Sequence, residues 1–314
     1  MPRGPMLVLA VLVLAVLALA AGCAGANRQV SPLTGMPASS GAPVLAVKVD
    51  NSPAGRPWTG VEDADVVYVE PVEGGTTRLL AVFSSRLPAS VGPVRSARES
   101  DVTVLGAYGR PALAFSGSAP ELAGTLAGAP LVAVTPATAA SAFRRDADRR
   151  APVNLYADPG ALLAAAGEVS PPRDVGFRFG ATPAGGEVVR HREVAFGSAI
   201  VGLTWDAVRG RWVVEPGGDQ VVPAGGGDPV GAATVLVQEV TTRPSAIRDA
   251  AGAVSPYAVT TGEGEAEVLR DGRAFPARWS RPTPTDPTRV LDAGGAPVPF
   301  ASGPLWVLLV PRDD

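Results

Sequence analysis

Three short apolar runs between Leu45 and Asp101 each lead into charged or polar residues, and this pattern constrains the fold more than any other feature of the chain. Short apolar runs rich in Val, bounded by Gly and Pro, are typical of buried strands. The residues that follow the runs are Lys48, Asp50, Asn51, Glu70, Glu73, Arg78, Arg95 and Arg98. Because charged residues follow each of these predicted buried strands, we predict a charged site along one edge, or rim, of a sheet.

The cations of this rim favour an anionic ligand, because guanidinium groups match carboxylate and phosphate oxygens in a bidentate way. Two serines after a later predicted strand, Ser116 and Ser118, could offer hydroxyl and N–H groups to the same anion, although a helix cap at Ser118 is the simpler alternative. The predicted ligand-binding residues are therefore Lys48, Asp50, Asn51, Arg78, Arg95, Arg98, Ser116 and Ser118.

Glu70 and Glu73 are the only serious catalytic candidates. Two carboxyl groups about 5–10 Å apart could act as an acid/base pair, as in glycosidases. The alternative is that each glutamate forms an ion pair with an arginine and locks the strand ends together. An oxygen-ligated divalent cation at Asp50, Glu70 and Glu73 is a further alternative, but we predict no metal and no cofactor.

Other catalytic chemistry finds little support in the sequence. The chain has one cysteine, Cys23, and one histidine, His191, which stands between two arginines and is predicted to be a solvated surface residue. It contains no G-x-S-x-G elbow, and zinc sites need Cys or His clusters. The net charge of −3 argues against nucleic-acid binding, which normally uses a basic surface.

The N-terminus predicts the compartment. Residues 1–22 contain an apolar run of roughly 16 residues, which is shorter than the about 20 that a membrane helix needs, and they end in small residues before Cys23. This is the pattern of a lipoprotein signal peptide followed by a lipidated cysteine. Residues 23–42 are predicted to form a flexible tether, so we expect a lipid-anchored protein on the extracytoplasmic face of the cell membrane. An ordinary signal peptide or an uncleaved anchor is the alternative.

The kind of predicted secondary structure changes along the chain, and this indicates a mixed α+β fold with two domains. Residues 43–168 interleave short strands with helical segments and predict an N-terminal α/β domain. Residues 169–198 are an interdomain connection, and residues 199–311 carry short strands separated by Gly-rich turns, which predicts a mostly antiparallel β domain. Two local signals are specific: Asp158 is predicted to cap the helix Pro159–Ala166, and Asp271-Gly272 predicts a β-hairpin.

A series of motifs resembles the YerB-like bacterial lipoproteins and covers nearly the whole predicted mature chain. The motifs are PLTG (Pro32–Gly35), VKVDN (Val47–Asn51), RP (Arg56–Pro57), ADVVYVEPVEGGTTRLLAVF (Ala64–Phe83), VGPVRSAR (Val91–Arg98), RRAPVNLY (Arg149–Tyr156), TWDAVRGRW (Thr204–Trp212), RDGRAFPARW (Arg270–Trp279) and PLWVLLVP (Pro304–Pro311). The resemblance implies a membrane-anchored, extracytoplasmic, two-domain protein whose family has no established activity. Where that family typically reads APHNLY, this chain has Val153 in place of the histidine. Compared with the family pattern, its loop 216–231 is shortened or altered.

The residues and the resemblance together favour a lipid-anchored protein that binds an anionic or polar cell-envelope ligand through the Arg/carboxylate cluster. One alternative is a hydrolase or transferase that acts on cell-wall glycan or phosphodiester with Glu70 or Glu73 as acid/base. Another is a structural protein of the envelope that interacts through its β domain. The predicted partners are the membrane, reached through Cys23, and a cell-wall ligand.

Overall fold

The computed structural model describes residues 30–38, 42–249 and 252–312. The predicted signal peptide, Cys23 and most of the predicted tether lie outside the described residues. Within the described part of the chain, no helix is long and apolar enough to cross a membrane.

Strands dominate the fold and helices are few. The helices are α1 (Glu99–Leu105), α2 (Ala123–Gly128) and α3 (Pro159–Ala166). The strands before residue 170 are β1 (Leu45–Asp50), β2 (Val66–Val72), β3 (Thr76–Phe83), β4 (Ala112–Ala114), β5 (Val132–Val134), β6 (Phe143–Arg145) and β7 (Leu155–Ala157). Those after it are β8 (Glu187–Val188), β9 (His191–Phe196), β10 (Ala199–Asp206), β11 (Arg211–Pro216), β12 (Gly231–Ala232), β13 (Thr234–Val240), β14 (Thr242–Arg248), β15 (Val254–Ala258), β16 (Gly262–Arg270), β17 (Arg273–Arg281), β18 (Arg289–Leu291) and β19 (Leu305–Pro311).

One mixed sheet runs through both halves of the protein. Its strand order is β18-β17-β16-β13-β19-β2-β3-β1-β4-β5, with β8 paired to β17. The last strand, β19, pairs in parallel with β2 from the N-terminal half and with β13 from the C-terminal half. The two halves are therefore joined by backbone hydrogen bonds along the centre of a shared sheet.

The prediction of an N-terminal α/β domain is borne out in part. β4 runs parallel to β1 and β5 runs parallel to β4, and the three α-helices of the described residues lie in this half. However, β1, β2 and β3 form an antiparallel unit. A four-stranded sheet of β9 to β12 and a two-stranded arm of β14 and β15 complete the C-terminal half.

Both faces of the long sheet are covered, which explains why the central strands are apolar almost throughout. All six residues of β1 are buried. Successive side chains of a strand point to opposite faces, so Val47 and Val49 enter one core while Ala46 enters the other. The first core includes residues of the four-stranded sheet and a tilted pair of rings, Trp58 and Trp306, whose centroids lie 5.9 Å apart.

Two local predictions are confirmed. The side chain of Asp158 accepts a hydrogen bond from the backbone N–H of Ala161 and caps α3. Asp271 and Gly272 connect β16 to β17, and both have the positive φ that a tight hairpin turn of this kind requires.

Candidate functional site

The ends of β1, β2 and β3 meet at one edge of the sheet. In the register of these strands, Arg78 lies opposite Asp50 on one side and opposite Glu70 on the other. Directly opposed residues of paired strands share a face of the sheet. The strand ends that the apolar runs predicted are thus neighbours, and their charges form three separate groupings.

The deepest grouping contains Lys48, which is completely buried. Its Nζ lies 2.6 Å from Oδ1 of Asp101 on α1 and also contacts Oε2 of Glu70. Neither Lys48 nor Glu70 lines the two cavities that open at this edge of the sheet. A ligand-binding role was predicted for Lys48, but the structure places it beneath the surface, where it contacts two internal carboxyl groups.

Glu70 shares one lysine with another carboxyl group, and this sets its protonation. Burial, followed by repulsion from Asp101, raises the pKa of Glu70 to about 8 against the attraction of Lys48. One oxygen of Glu70, Oε1, is buried without a hydrogen-bond partner. The low solvent exposure and the shared cation favour a neutral Glu70 at moderate pH.

Glu73 and Arg98 form the second grouping, a bidentate ion pair. Nε of Arg98 lies 2.7 Å from Oε1 of Glu73, and a terminal nitrogen lies 2.9 Å from Oε2. Ser255 on β15 donates a third hydrogen bond to Oε1. Burial alone would raise the pKa of Glu73, but these hydrogen bonds outweigh it and lower the pKa to about 2.

Asp50 and Arg95 form the third grouping. Nε of Arg95 lies 2.8 Å from Oδ2 of Asp50, and the other carboxylate oxygen accepts a hydrogen bond from the backbone N–H of Ser52 at 2.7 Å. Trp58 donates from its indole N–H to the backbone oxygen of Asp50 at 2.8 Å. Contacts with Arg95, Ser52 and Trp58 thereby fix the position of Asp50.

The carboxyl groups of Asp50, Glu70 and Glu73 contact three different cations, Arg95, Lys48 and Arg98. The geometry therefore does not assemble these three residues into a shared set of metal ligands. Among the described residues, no group of three or more His, Cys, Asp or Glu side chains is arranged to hold a metal ion.

Arg78 differs from the other arginines of the rim because it forms no ion pair with any described carboxylate. Its guanidinium donates a long hydrogen bond of 3.4 Å to the backbone oxygen of Ser96. Burial, together with the positive charges of Arg98 and Arg95, lowers the pKa of Arg78 to about 10. The guanidinium of Arg78 therefore lies between two arginines, Arg98 and Arg95, and two carboxylates, Glu73 and Asp50, which attract it without an ion-pair contact.

Two adjoining cavities open beside these groups. The first has a volume of about 670 Å³ and is lined by Asp50, Asn51, Glu73, Arg78 and Arg95, among others. The second has a volume of about 740 Å³. The cavities share four lining residues, Arg78, Arg95, Pro152 and Asp249. We call the two cavities together the rim groove.

The rim groove carries more positive than negative charge. Its charged lining residues are the arginines Arg56, Arg78, Arg95, Arg98, Arg150 and Arg248 and the carboxylates Asp50, Glu73, Glu121 and Asp249. Six cations against four anions leave an excess of two positive charges. The whole chain has a formal net charge of −3, so the groove has the opposite sign to the protein.

The remaining predicted residues line different cavities. Asn51 lines the first cavity and donates from its amide to Oγ1 of Thr77 at 2.7 Å. Ser118 lines the second cavity, and the short 3₁₀ turn that follows begins after Ala119 without a side-chain cap, so the helix-cap alternative for Ser118 is wrong. Ser116 lines a third cavity, which Ser118 also lines, and the hydroxyl of Ser116 lies 3.5 Å from that of Ser96.

Sequence reasoning missed three groove arginines: Arg56, Arg150 and Arg248. The first two stand in family-like motifs, so their position in those motifs was an available signal. Arg248 comes from the end of β14 in the C-terminal half, far along the chain, and no local pattern predicts its approach. Val153, which stands where the family resemblance leads one to expect histidine, also lines the first cavity.

Comparisons with known proteins agree with this two-part architecture. Residues 33–171 match the family model described as "Protein of unknown function (DUF3048) N-terminal domain", and residues 192–307 match the DUF3048 C-terminal domain. The "Putative lipoprotein YerB" of Bacillus subtilis (strain 168) is 44% identical over 82 residues, which are 25% of this chain and 25% of that protein. The chain thus aligns with about a quarter of the length of this curated relative.

The crystal structure of the YerB protein from Bacillus subtilis has a similar fold. It matches with a TM-score of 0.78 and 23% sequence identity, over 91% of this chain and 97% of that chain. At this level of identity the similarity supports the fold and does not extend to the chemistry of the groove.

Proposed function

We propose, from the premise that this chain belongs to the two-domain DUF3048 family, that it is an envelope lipoprotein that binds an anionic ligand in the rim groove. The observation that carries the proposal is that Arg78, which lies where the two cavities meet, forms no ion pair with a carboxylate of the described residues. An anion that reached Arg78 would pair a half-buried cation whose hydrogen-bond partner among the described residues is a backbone carbonyl. Hydrogen bonds to charged groups in such partly desolvated sites are stronger than those between neutral groups.

The sign of the groove supports an anionic ligand independently of Arg78. A positively charged cleft in a protein of net negative charge concentrates anions locally, because low-dielectric walls focus the field. Arg95 and Arg98 keep their carboxylate partners Asp50 and Glu73, which fix the two guanidinium groups in position. The paired arginines are therefore preorganised, and Arg78 supplies the charge that the ligand neutralises.

The positions of the two glutamates favour binding over hydrolysis. Glu70 has the raised pKa of a general acid, but it is buried beneath the groove and lines neither cavity. Glu73 lines the groove, but its carboxylate is held by Arg98 and Ser255, and a pKa of about 2 makes it a poor acid or base near neutral pH. A hydrolase or transferase would need one of these glutamates to contact the substrate and to have a pKa near the pH at which the enzyme acts.

Membrane attachment through Cys23 is the second part of the proposal. It rests on the small residues before that cysteine and on the name of the Bacillus subtilis relative, a lipoprotein. The test is expression of the full chain in a bacterium that processes lipoproteins, followed by mass spectrometry and detergent partition. We expect a diacylglycerol-modified Cys23 at the new N-terminus, and a Cys23→Ser variant without the lipid. An unmodified wild-type cysteine would contradict this part.

The ligand proposal is tested by calorimetric titration of the full chain in detergent with glycerol phosphate and with N-acetylmuramic acid. We expect saturable binding of at least one probe that weakens with added salt and is lost in Arg78→Gln. Arg289→Gln is the matched control, because Arg289 is an exposed arginine on β18 that lines neither part of the groove. If neither probe binds, or if Arg78→Gln binds as the wild type does, the proposal is wrong and a structural role is favoured.

A further inference from the structure

The rim groove is built from both halves of the protein. The first cavity is lined mainly by strand ends and loops of the N-terminal half, whereas Ile247, Arg248 and Asp249 from the β14–β15 arm line the second. Asp249 lines both cavities. A ligand that fills the groove from end to end would contact both halves.

The β14–β15 arm is fixed to the N-terminal half by specific side-chain contacts. Tyr257 shares a hydrogen bond of 2.8 Å with Thr103 on α1, and Ser245 donates to Glu99 at 2.6 Å. Ser255 of the arm holds Glu73, as described above. These contacts place Arg248 on the wall of the second cavity without requiring a ligand to do so.

The arginines are distributed along the groove and are not gathered at one point. Arg56 and Arg150 line only the first cavity, Arg78 and Arg95 line both cavities, and Arg248 lines only the second. Arg248 donates to the backbone oxygen of Gly252 at 2.8 Å. The ion pairs of the described residues include neither Arg150 nor Arg248. Cations that have no carboxylate partner are therefore present in both cavities and at their junction.

From this arrangement we infer that the groove binds a linear polyanion, with successive negative groups of one chain paired to Arg150, Arg78 and Arg248. The inference rests on the proposed function and adds the class of ligand. A single small anion would neutralise Arg78 and leave the cations of the outer cavities unmatched. A chain with repeated phosphodiester or carboxylate groups would match all three.

Linked contacts of this kind have a measurable signature. Once the first anionic group is bound, the next binds as if at high local concentration, so affinity rises steeply with chain length. Each phosphate contact also releases counterions, and the slope of log K against log salt grows by about 0.7 per contact for a single-stranded polyanion. A site for one anion shows neither effect.

The test uses abasic oligomers of deoxyribose phosphate with one, two, four and eight phosphodiesters, titrated by calorimetry into the full chain in detergent. Poly-L-glutamates of matched charge form a second series, which separates phosphodiester from carboxylate sources. We expect affinity to rise by about 100-fold from the shortest to the longest member of the preferred series. In Arg248→Gln, the salt slope for the longest oligomer should fall by about 0.7, and the affinity should fall more for the longest oligomer than for the shortest.

Arg78→Gln weakens every member of the series, and Arg289→Gln weakens none. An affinity that does not change with chain length, but still depends on Arg78, overturns the polyanion inference and leaves the binding of a single anion standing. If Arg289→Gln also reduced the dependence of affinity on chain length, the dependence would be a non-specific effect of charge. That result would also overturn the polyanion inference. Absence of binding to every probe contradicts both the inference and the proposed function.

Discussion

Glu70 and Glu73 stand three residues apart at the end of β2, and the fold gives their carboxyl groups opposite preferences for the proton. Burial and the neighbouring Asp101 raise the pKa of Glu70 to about 8. Despite its own burial, Glu73 has a pKa lowered to about 2 by hydrogen bonds from Arg98 and Ser255. Stability should therefore depend on pH in two separate windows, one for each residue.

The first prediction concerns Glu70→Gln. Because the pKa of Glu70 is raised on folding, its contribution to stability is present below its ordinary value of 4.5 and is lost as the pH rises through about 8. Glutamine cannot ionise, and it leaves Lys48 and Asp101 as a balanced pair. Urea denaturation of the full chain should show a smaller fall in unfolding free energy between pH 5 and pH 9 than in the wild type. Exposed Glu121→Gln is the control, and parallel profiles for Glu70→Gln and wild type would refute the assignment.

The second prediction concerns Glu73→Gln. The lowered pKa of Glu73 means that its stabilising effect is present above 4.5 and is lost as the pH falls through about 2. At pH 7 the variant leaves buried Arg98 without its carboxylate, and we expect a loss of about 3 kcal/mol in unfolding free energy. Asp174→Asn, which breaks the exposed pair with Arg178, should cost at most about 1 kcal/mol. Equal costs for the two variants would contradict this view of the Glu73–Arg98 pair.

The third prediction concerns Lys48→Met. Lys48 is the cation that contacts both Glu70 and Asp101 in the described structure, and its removal leaves two buried carboxyl groups side by side. We expect a loss of about 3 kcal/mol or more at pH 8, where ionisation is most costly. The loss should be smaller at pH 5, where a proton can occupy the pair. A loss independent of pH would indicate that the cost comes from packing alone, and the double variant Lys48→Met/Glu70→Gln should recover part of the stability at pH 8.

The fourth prediction concerns the β14–β15 arm. Tyr257→Phe removes the hydroxyl that hydrogen-bonds Thr103 and should cost about 1 kcal/mol of local stability. Hydrogen exchange of the backbone amides in β14 and β15 should accelerate, while exchange in β1 and β3 should not change. Tyr156→Phe is the matched control, because the hydroxyl of Tyr156 contacts Arg149 in the other half of the protein. Uniform acceleration throughout the sheet would mean that Tyr257 stabilises the whole fold and does not act locally on the arm.

The sequence predicted the elements that depend on short-range chemistry. Asp158 caps α3 because its side chain reaches an N–H three residues ahead, and the Asp271-Gly272 turn closes a hairpin because both residues accept a positive φ. The family resemblance of the motifs is confirmed by the matched domain models. Each of these inferences needs only neighbouring residues or an ordered set of local patterns.

The assembly of the groove could not be predicted in this way. The apolar run of β1 indicated a buried strand. It did not reveal that Lys48 would contact Asp101 of α1, which lies 53 residues later in the chain. Arg248 reaches the groove because the β14–β15 arm docks on α1, and that contact depends on Tyr257 and Ser245. Long-range contacts of this kind depend on how whole surfaces of the protein pack together. A short segment of sequence does not contain that information.

By itself the sequence indicated most strands of the central sheet, the charges that follow them and the motifs of the family, but it did not predict β9 or β14. Only the tertiary structure decided which charges face each other. β19 joins the two halves in one sheet, Lys48 and Glu70 lie in the interior, and Arg78 lies beside a cavity without a carboxylate partner. The physical reason is that protonation and pairing depend on burial and on distances of a few ångströms between residues distant in the chain, and folding alone sets those distances.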